Sequence, residues 1–170
     1  MVALTQLEIR TYLPTDRESC RRLWKELTEW HRQIYHDQSI GGPHPEDSFD
    51  KHLEKIGGTN LWVAVLESVV VGLIGLIVDD QEAEIEPLIV SRPHRSSSIG
   101  RRLIEKVVDE ARGRGLRFLS VKPVARNVEG ITFFYHQGFR NIGQVELFMD
   151  FSEQWVGTKG LKLFHLQFNY

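Results

Sequence analysis

Cysteine is all but missing from this sequence. Its 170 residues include one, Cys20, so no internal disulfide can form and a reducing, cytoplasmic setting suits the chain. An excess of one charge sign is missing too. Twenty-one basic residues face 23 acidic ones, for a formal charge of -2, which argues against a protein that coats nucleic acid or an anionic membrane. The opening residues, MVALTQLEIR, lack the long apolar core of a signal peptide. The most apolar stretch, LWVAVLESVVVGLIGLIV (61–78), is interrupted by Glu67 and Ser68 and is rich in β-branched residues. Two strands joined by a tight turn suit it better than a membrane helix. The seven histidines show no metal spacing, since His31 and His36, five apart, misalign on a helix. There is no repeat and no low-complexity linker. No Gly-x-x-x-x-Gly-Lys-Ser/Thr occurs, and no Gly-x-Gly-x-x-Gly opens a helix after an early strand. A P-loop NTPase and a dinucleotide fold are therefore excluded. A single domain over residues 1–170 is expected, without metal, nucleic-acid partner or membrane.

What is present is a mixture of both periodicities. QLEIRTYL (6–13) alternates as a strand. Thr15 with Glu18 three residues on has capping-box spacing, and Cys20, Leu23, Trp24, Leu27, Trp30, Ile34 and Tyr35 follow at helical steps. GGPHPED (41–47) breaks the chain. A short helix then places Phe49, Leu53 and Ile56 inward and stops at Gly57. After the 61–78 hairpin, EAEIEPLIV (82–90) reads as a strand with an irregularity at Pro87, which cannot donate a ladder hydrogen bond. Residues 100–112 form a helix with a stripe of Leu103, Ile104, Val107, Val108 and Ala111, ended by Gly113 and Gly115. LRFLSVKPV (116–124) is a strand. Asn127 caps a helix carrying Ile131, Phe134 and Tyr135, with Gly138 at its end. QVELFMDF (144–151) and LKLFHLQFNY (161–170) supply one strand each. Seven strands and four helices in this order predict a mixed α/β (α+β) fold, a mostly antiparallel sheet with helices on both faces.

The chemistry concentrates in VSRPHRSSSIGRRL (90–103). A helix start offers N–H groups without helical partners and about half a positive charge. A strand, a short turn and such a helix start form an anion site. Arg95 and Arg101 flank the turn, and the serines add hydroxyl donors. Many polar turns share this composition, so local physics leaves phosphate cradle and plain turn both open.

LIVSRPHRSSSIGRRLIEKVVDEA resembles the coenzyme-binding motif of the GNAT superfamily of acetyl-CoA-dependent N-acetyltransferases. That motif has Gln or Arg, then Gly at the fourth and Gly or Ala at the sixth place, between a strand and a helix. Here Arg95, Ser96, Ser97, Ser98, Ile99 and Gly100 stand in those places. NVEGITFFYHQGFR (127–140) is similar to the family's later segment, which runs from an asparagine through an alanine and Phe-Tyr to Gly-Phe. Together the two cover residues 82–140, about a third of the chain.

The resemblance implies a sheet splayed around acetyl-CoA as co-substrate. It implies pyrophosphate on the amides of Arg95 to Arg101 and the pantetheine arm along Leu88, Ile89 and Val90. Asn127 and Phe134 would contact the coenzyme, and Tyr135 would be the general acid. By spacing alone, Tyr135 beside Phe134 is a core aromatic. Two departures stand out: Ser98 replaces the family's first glycine, and Gly130 replaces its alanine. Ser98 is tolerable where φ is negative.

Acyl transfer to an amine needs a base, a donor for the oxyanion and a leaving thiolate. An alkyl amine titrates near ~10 and a thiol near ~8.5. Glu84 and Glu86 share one strand face by the period of two. The resemblance favours Glu84 as base, with Glu86 second and a backbone N–H near Leu88 as oxyanion donor. Asp79 to Glu86 holds five acidic residues in eight, and Glu46, Asp47 and Asp50 add more. An acidic rim suits a small cationic amine or polyamine. A protein N-terminus or lysine as substrate, and a silent coenzyme-binding regulatory module, stay open. A homodimer through the late strands is allowed by the resemblance. Cys20 reads as a core residue, and direct attack needs no enzyme nucleophile.

Overall fold

Strands β2 (Leu61–Leu66) and β3 (Val69–Asp79) form the predicted hairpin. Glu67 and Ser68 both take positive φ at its turn, as a two-residue hairpin requires. β1 (Leu7–Thr11) pairs antiparallel with β2, and β4 (Glu82–Val90) antiparallel with β3. β5 (Phe118–Val121) adds to β4 in parallel, giving the order β1-β2-β3-β4-β5. The computed structural model describes residues 7–149, 151, 157 and 159–170. It forms two compact units, Met1–Lys122 and Pro123–Tyr170.

The first unit wraps this sheet in helices. α1 (Arg17–Tyr35) and α2 (Asp47–Ile56) cover one face, and α3 (Ile99–Gly113) covers the other. Two glycines of β3 report on the faces. A Cβ at Gly72 would meet Leu103 and Ile99 of α3, whereas one at Gly75 would meet Ile56 of α2. β3 is therefore apolar on both sides, and Val70 to Leu76 are buried throughout. The core on the α1–α2 side joins Cys20, Leu23, Phe49, Ile56, Leu61, Val63, Leu73 and Ile89. Burial pushes the Cys20 thiol up to about 12.

One cap differs from expectation. Thr15 is taken into a 3₁₀ turn over Pro14–Asp16, and Asp16 rather than Thr15 precedes α1. The Asp16 carboxylate accepts the Leu13 N–H at 2.8 Å and is gripped by the Arg10 guanidinium at 2.7 and 2.9 Å. That half-buried ion pair holds the turn one residue later than the Thr15–Glu18 spacing suggests. It also lowers the Asp16 pKa.

The second unit contains α4 (Val128–His136) and a separate hairpin, β6 (Lys159–Leu163) with β7 (Leu166–Asn169). LKLFHLQFNY thus makes parts of two strands, because Phe164 and His165 adopt positive φ and turn the chain. Residues 144–149 of QVELFMDF form no strand, and Asp150 lies outside the described residues. The seven strands accordingly divide into a five-stranded and a two-stranded sheet. Among the described residues, no helix is long and apolar enough to cross a membrane.

Candidate active site

The irregularity at Pro87 is a bulge in the β3–β4 ladder. Ile74 pairs with Leu88, but Leu76 pairs with Ile85, so Glu86 and Pro87 bulge opposite Gly75. The Glu86–Pro87 peptide is cis. On the other side, β4 is paired with β5 only from Glu82 to Ile85, opposite Val121. Beyond that point β4 keeps β3 and loses β5. Ser91 donates its N–H to Val71 O at 2.8 Å, so residues 89 and 91 face β3. By the alternation of an antiparallel ladder, Leu88 and Val90 turn their N–H groups to the open edge. Ile89 is buried under the helices.

The strand then enters the serine turn. Arg92 to His94 make one 3₁₀ turn, and α3 starts at Ile99. Arg102 is the first residue of α3 whose N–H finds a helical acceptor, Ser98 O at 3.0 Å. Among the described residues, the N–H groups of Ser96, Ser97, Ser98, Ile99, Gly100 and Arg101 meet no acceptor in the protein. Six consecutive free amides at a helix start form a ready anion seat. Ser98 has φ -71, an ordinary value for an L-residue, so the missing glycine leaves no strain there. The left-handed residue is Ser96, at φ 60.

The side chains of the turn are braced from within. The Arg95 Nε donates to Val90 O at 3.2 Å, and its guanidinium lies 5.5 Å from the Trp30 ring centre. Arg95 therefore ties the end of β4 to α1. His94 shares a 2.8 Å hydrogen bond with Ser91 Oγ, and the Ser97 hydroxyl donates to His94 O. Glu26 of α1 accepts the Arg92 N–H at 3.1 Å. Trp30, Arg92 and Arg95 line a cleft of about 330 Å³ with residues of α1. Arg101 is exposed and pairs with Glu105 at 3.4 Å.

The two carboxylates of β4 meet different neighbours. Glu84 accepts a hydrogen bond from Lys122 Nζ at 2.5 Å, which raises the Lys122 pKa. Glu86 keeps its side chain 46% exposed, 3.7 Å from His52 Nδ1. The remaining acids lie elsewhere. Asp79 to Glu82 stand at the β3–β4 turn beside Arg117. Asp50 is held by Arg17 at 2.8 Å and by Arg21, and Arg21 also reaches Asp47 at 2.6 Å. Asp47 and Asp50 are thus occupied by the protein's own arginines. Neither Lys122 nor His52 is signalled by local spacing, because each reaches its glutamate from more than thirty residues away.

In the second unit, Asn127 Oδ1 accepts the Gly130 N–H at 2.9 Å and caps α4. A Cβ at Gly130 would stand 2.6 Å from Asn127 Nδ2, so the glycine leaves room for this cap. Phe134 is buried between Phe133 and Phe139. Tyr135 is 52% exposed, with the Arg140 guanidinium 5.2 Å from its ring centre. No group of three metal-ligating side chains occurs among the described residues.

A mixed sheet whose fourth strand leaves its neighbour and runs into an amide-lined turn presents a seat for an extended, anionic ligand. The chain belongs to the GNAT acetyltransferase family, whose sequence profile matches residues 23–139, well over half its length. No curated protein sequence matches it closely enough to count. A GNAT-family acetyltransferase from Staphylococcus aureus Mu50 has a similar fold, with TM-score 0.68 and 17% identity over 84% of this chain and 89% of that one. An aminoglycoside N-acetyltransferase in complex with CoA gives TM-score 0.65 and 16% identity, covering 89% and 99%. PaiA N-acetyltransferase from Thermoplasma acidophilum, in complex with coenzyme A, gives TM-score 0.64 and 19% identity, covering 78% and 89%.

Proposed function

We propose that this protein transfers an acetyl group from acetyl-CoA to a small primary amine. The six free amides from Ser96 to Arg101, at the end of a strand with an open edge, carry this reading. Their number and charge sense fit a pyrophosphate. The N–H group of Val90 fits an extended amide-bearing arm that pairs as a further strand, which leaves that of Leu88 for the acyl end of the same ligand. Acetyl-CoA, when bound, supplies an acetyl group activated as a thioester. The chain's two units would serve as one acetyltransferase domain, and the family match crosses the boundary between them.

We assign the proton-accepting role to Glu86 in preference to Glu84. Lys122 holds Glu84, whereas the Glu86 carboxylate is half exposed beside the bulge. A base must reach the amine directly or through one water. Leu88 N–H is the assigned donor for the acyl oxygen as charge develops on it. Tyr135 is the assigned acid on the strength of its motif and its exposed side chain. A small amine is favoured because aminoglycoside N-acetyltransferases are among the similar folds. A cytoplasmic site of action is part of this reading, and the lone, buried Cys20 is compatible with it.

Calorimetry with acetyl-CoA, followed by thiol release on a panel of amines, tests the reading. Binding with turnover of at least one small amine is expected. No binding at millimolar acetyl-CoA would refute it, and binding without turnover would favour a silent coenzyme-binding module. Tyr135→Phe should lower kcat at least tenfold with the coenzyme affinity kept; an unchanged rate removes Tyr135 from the acid role.

A further inference from the structure

His52 stands on α2 directly behind the β4 bulge, with its side chain 5% exposed. Its ring packs on Trp24 of α1, with centres 5.1 Å apart. Its Nε2 lies 2.8 Å from the Glu86 carbonyl oxygen. A carbonyl only accepts, so Nε2 carries the proton. In the neutral ring, Nδ1 is then a bare lone pair, and it faces the Glu86 carboxylate oxygen across 3.7 Å. Burial favours that neutral ring by depressing the His52 pKa. The charged groups facing His52 are Glu86 from β4 and Lys55 from its own helix, while α1 presents the uncharged Trp24.

Two consequences follow for the site. First, the Glu86 carbonyl is the hinge of the bulge, immediately before Pro87 and two residues before Leu88. A fixed carbonyl there fixes the direction in which the Leu88 N–H leaves the sheet. Second, two acceptors at 3.7 Å repel unless a donor serves both. An incoming ammonium, or a water that relays its proton, bridges both from one side with two of its hydrogens.

We propose that His52 is a positioning residue for acyl transfer, anchoring the β4 bulge through the Glu86 carbonyl and seating the amine against its Nδ1 and the Glu86 carboxylate. The proposal rests on the assignment of Glu86 and the Leu88 N–H made above. Its test compares His52→Phe, which keeps the ring and loses both nitrogens, with His52→Gln, which keeps an N–H donor. His52→Phe should lower kcat at least tenfold while the Kd for acetyl-CoA changes less than threefold. His52→Gln should recover most of kcat and still alter the acidic limb of the pH profile, since Nδ1 is gone. Ring-nitrogen NMR of the unliganded wild type should show protonated Nε2 and bare Nδ1 at pH 7. In the same spectra the Leu88 amide should shift in His52→Phe and return in His52→Gln.

A folded His52→Phe with wild-type kcat, or an Nδ1-protonated tautomer, overturns the proposal. If His52→Phe does not fold, the tautomer and His52→Gln decide. A wild type that turns over no amine sinks the acetyltransferase reading and takes the kinetic role of His52 with it. The Leu88 amide then reports separately whether His52 anchors the bulge.

Discussion

Gly75→Ala strikes the bulge from the opposite strand. An added Cβ would lie 2.5 Å from the Glu86 carbonyl oxygen and 3.0 Å from Ile56 Cδ1. Ordinary contact begins at 3.4 Å, so the carbonyl must retreat by about 0.9 Å, and backbone cannot rotate away as a side chain can. The retreat also breaks into the 2.8 Å contact with His52 Nε2. Overpacking of this kind costs about 2 kcal/mol, and in a chain of this length that lowers Tm by about 4–8 °C. Thermal unfolding by circular dichroism measures the stability, and calorimetry measures acetyl-CoA affinity. Gly113→Ala is the control, because nothing lies within 4 Å of its Cβ and it sits in a helix. It should be neutral or stabilise by up to about 1 kcal/mol. Gly75→Ala with the Tm and acetyl-CoA Kd of the control would refute the idea that the bulge sets the site.

Three other outcomes are expected. Ser96→Gly relieves a left-handed residue and should raise stability by up to about 1 kcal/mol; a loss would mean the turn draws its shape from the serine side chain. Cys20, buried with its thiol pushed up to about 12, should resist alkylation at pH 8 until the chain unfolds; rapid labelling of the native protein would contradict its place in the core. The folded pKa of Asp16 lies below its unfolded value, so its ion pair with Arg10 stabilises above about pH 4 and the gain is lost as pH falls through the folded pKa. Asp16→Asn should cost about 2 kcal/mol at pH 7, less than a fully buried pair because Arg10 is partly exposed. The cost should shrink in acid, and a pH-independent difference in urea unfolding would refute the linkage.

Long, regular patterns are legible in the sequence itself. The helical steps from Cys20 and from Leu103, the hairpin at Glu67–Ser68 and the disturbance at Pro87 all depend on local chemistry. The cap at Asp16 was not legible, because Arg10 chooses it across a turn. The two-residue turn at Phe164–His165 was not legible either, since neither residue carries ordinary turn chemistry. Motif position pointed at Ser98 as the missing glycine, yet the path of the turn places positive φ at Ser96. The environments of Glu84 and Glu86 were beyond sequence reasoning. Lys122 comes to Glu84 through the parallel β4–β5 register, and His52 comes to Glu86 through packing of α2 on the sheet.

The central claim is that the Ser96–Arg101 amides and the open edge at Leu88 and Val90 receive acetyl-CoA. Backbone amide NMR during an acetyl-CoA titration tests it residue by residue. The account predicts saturable shifts concentrated at Ser96 to Arg101 and at Leu88 and Val90, with Asp79 to Glu82 unmoved. Saturable shifts that leave the serine turn and the β4 edge untouched, or no shifts at millimolar coenzyme, would contradict it.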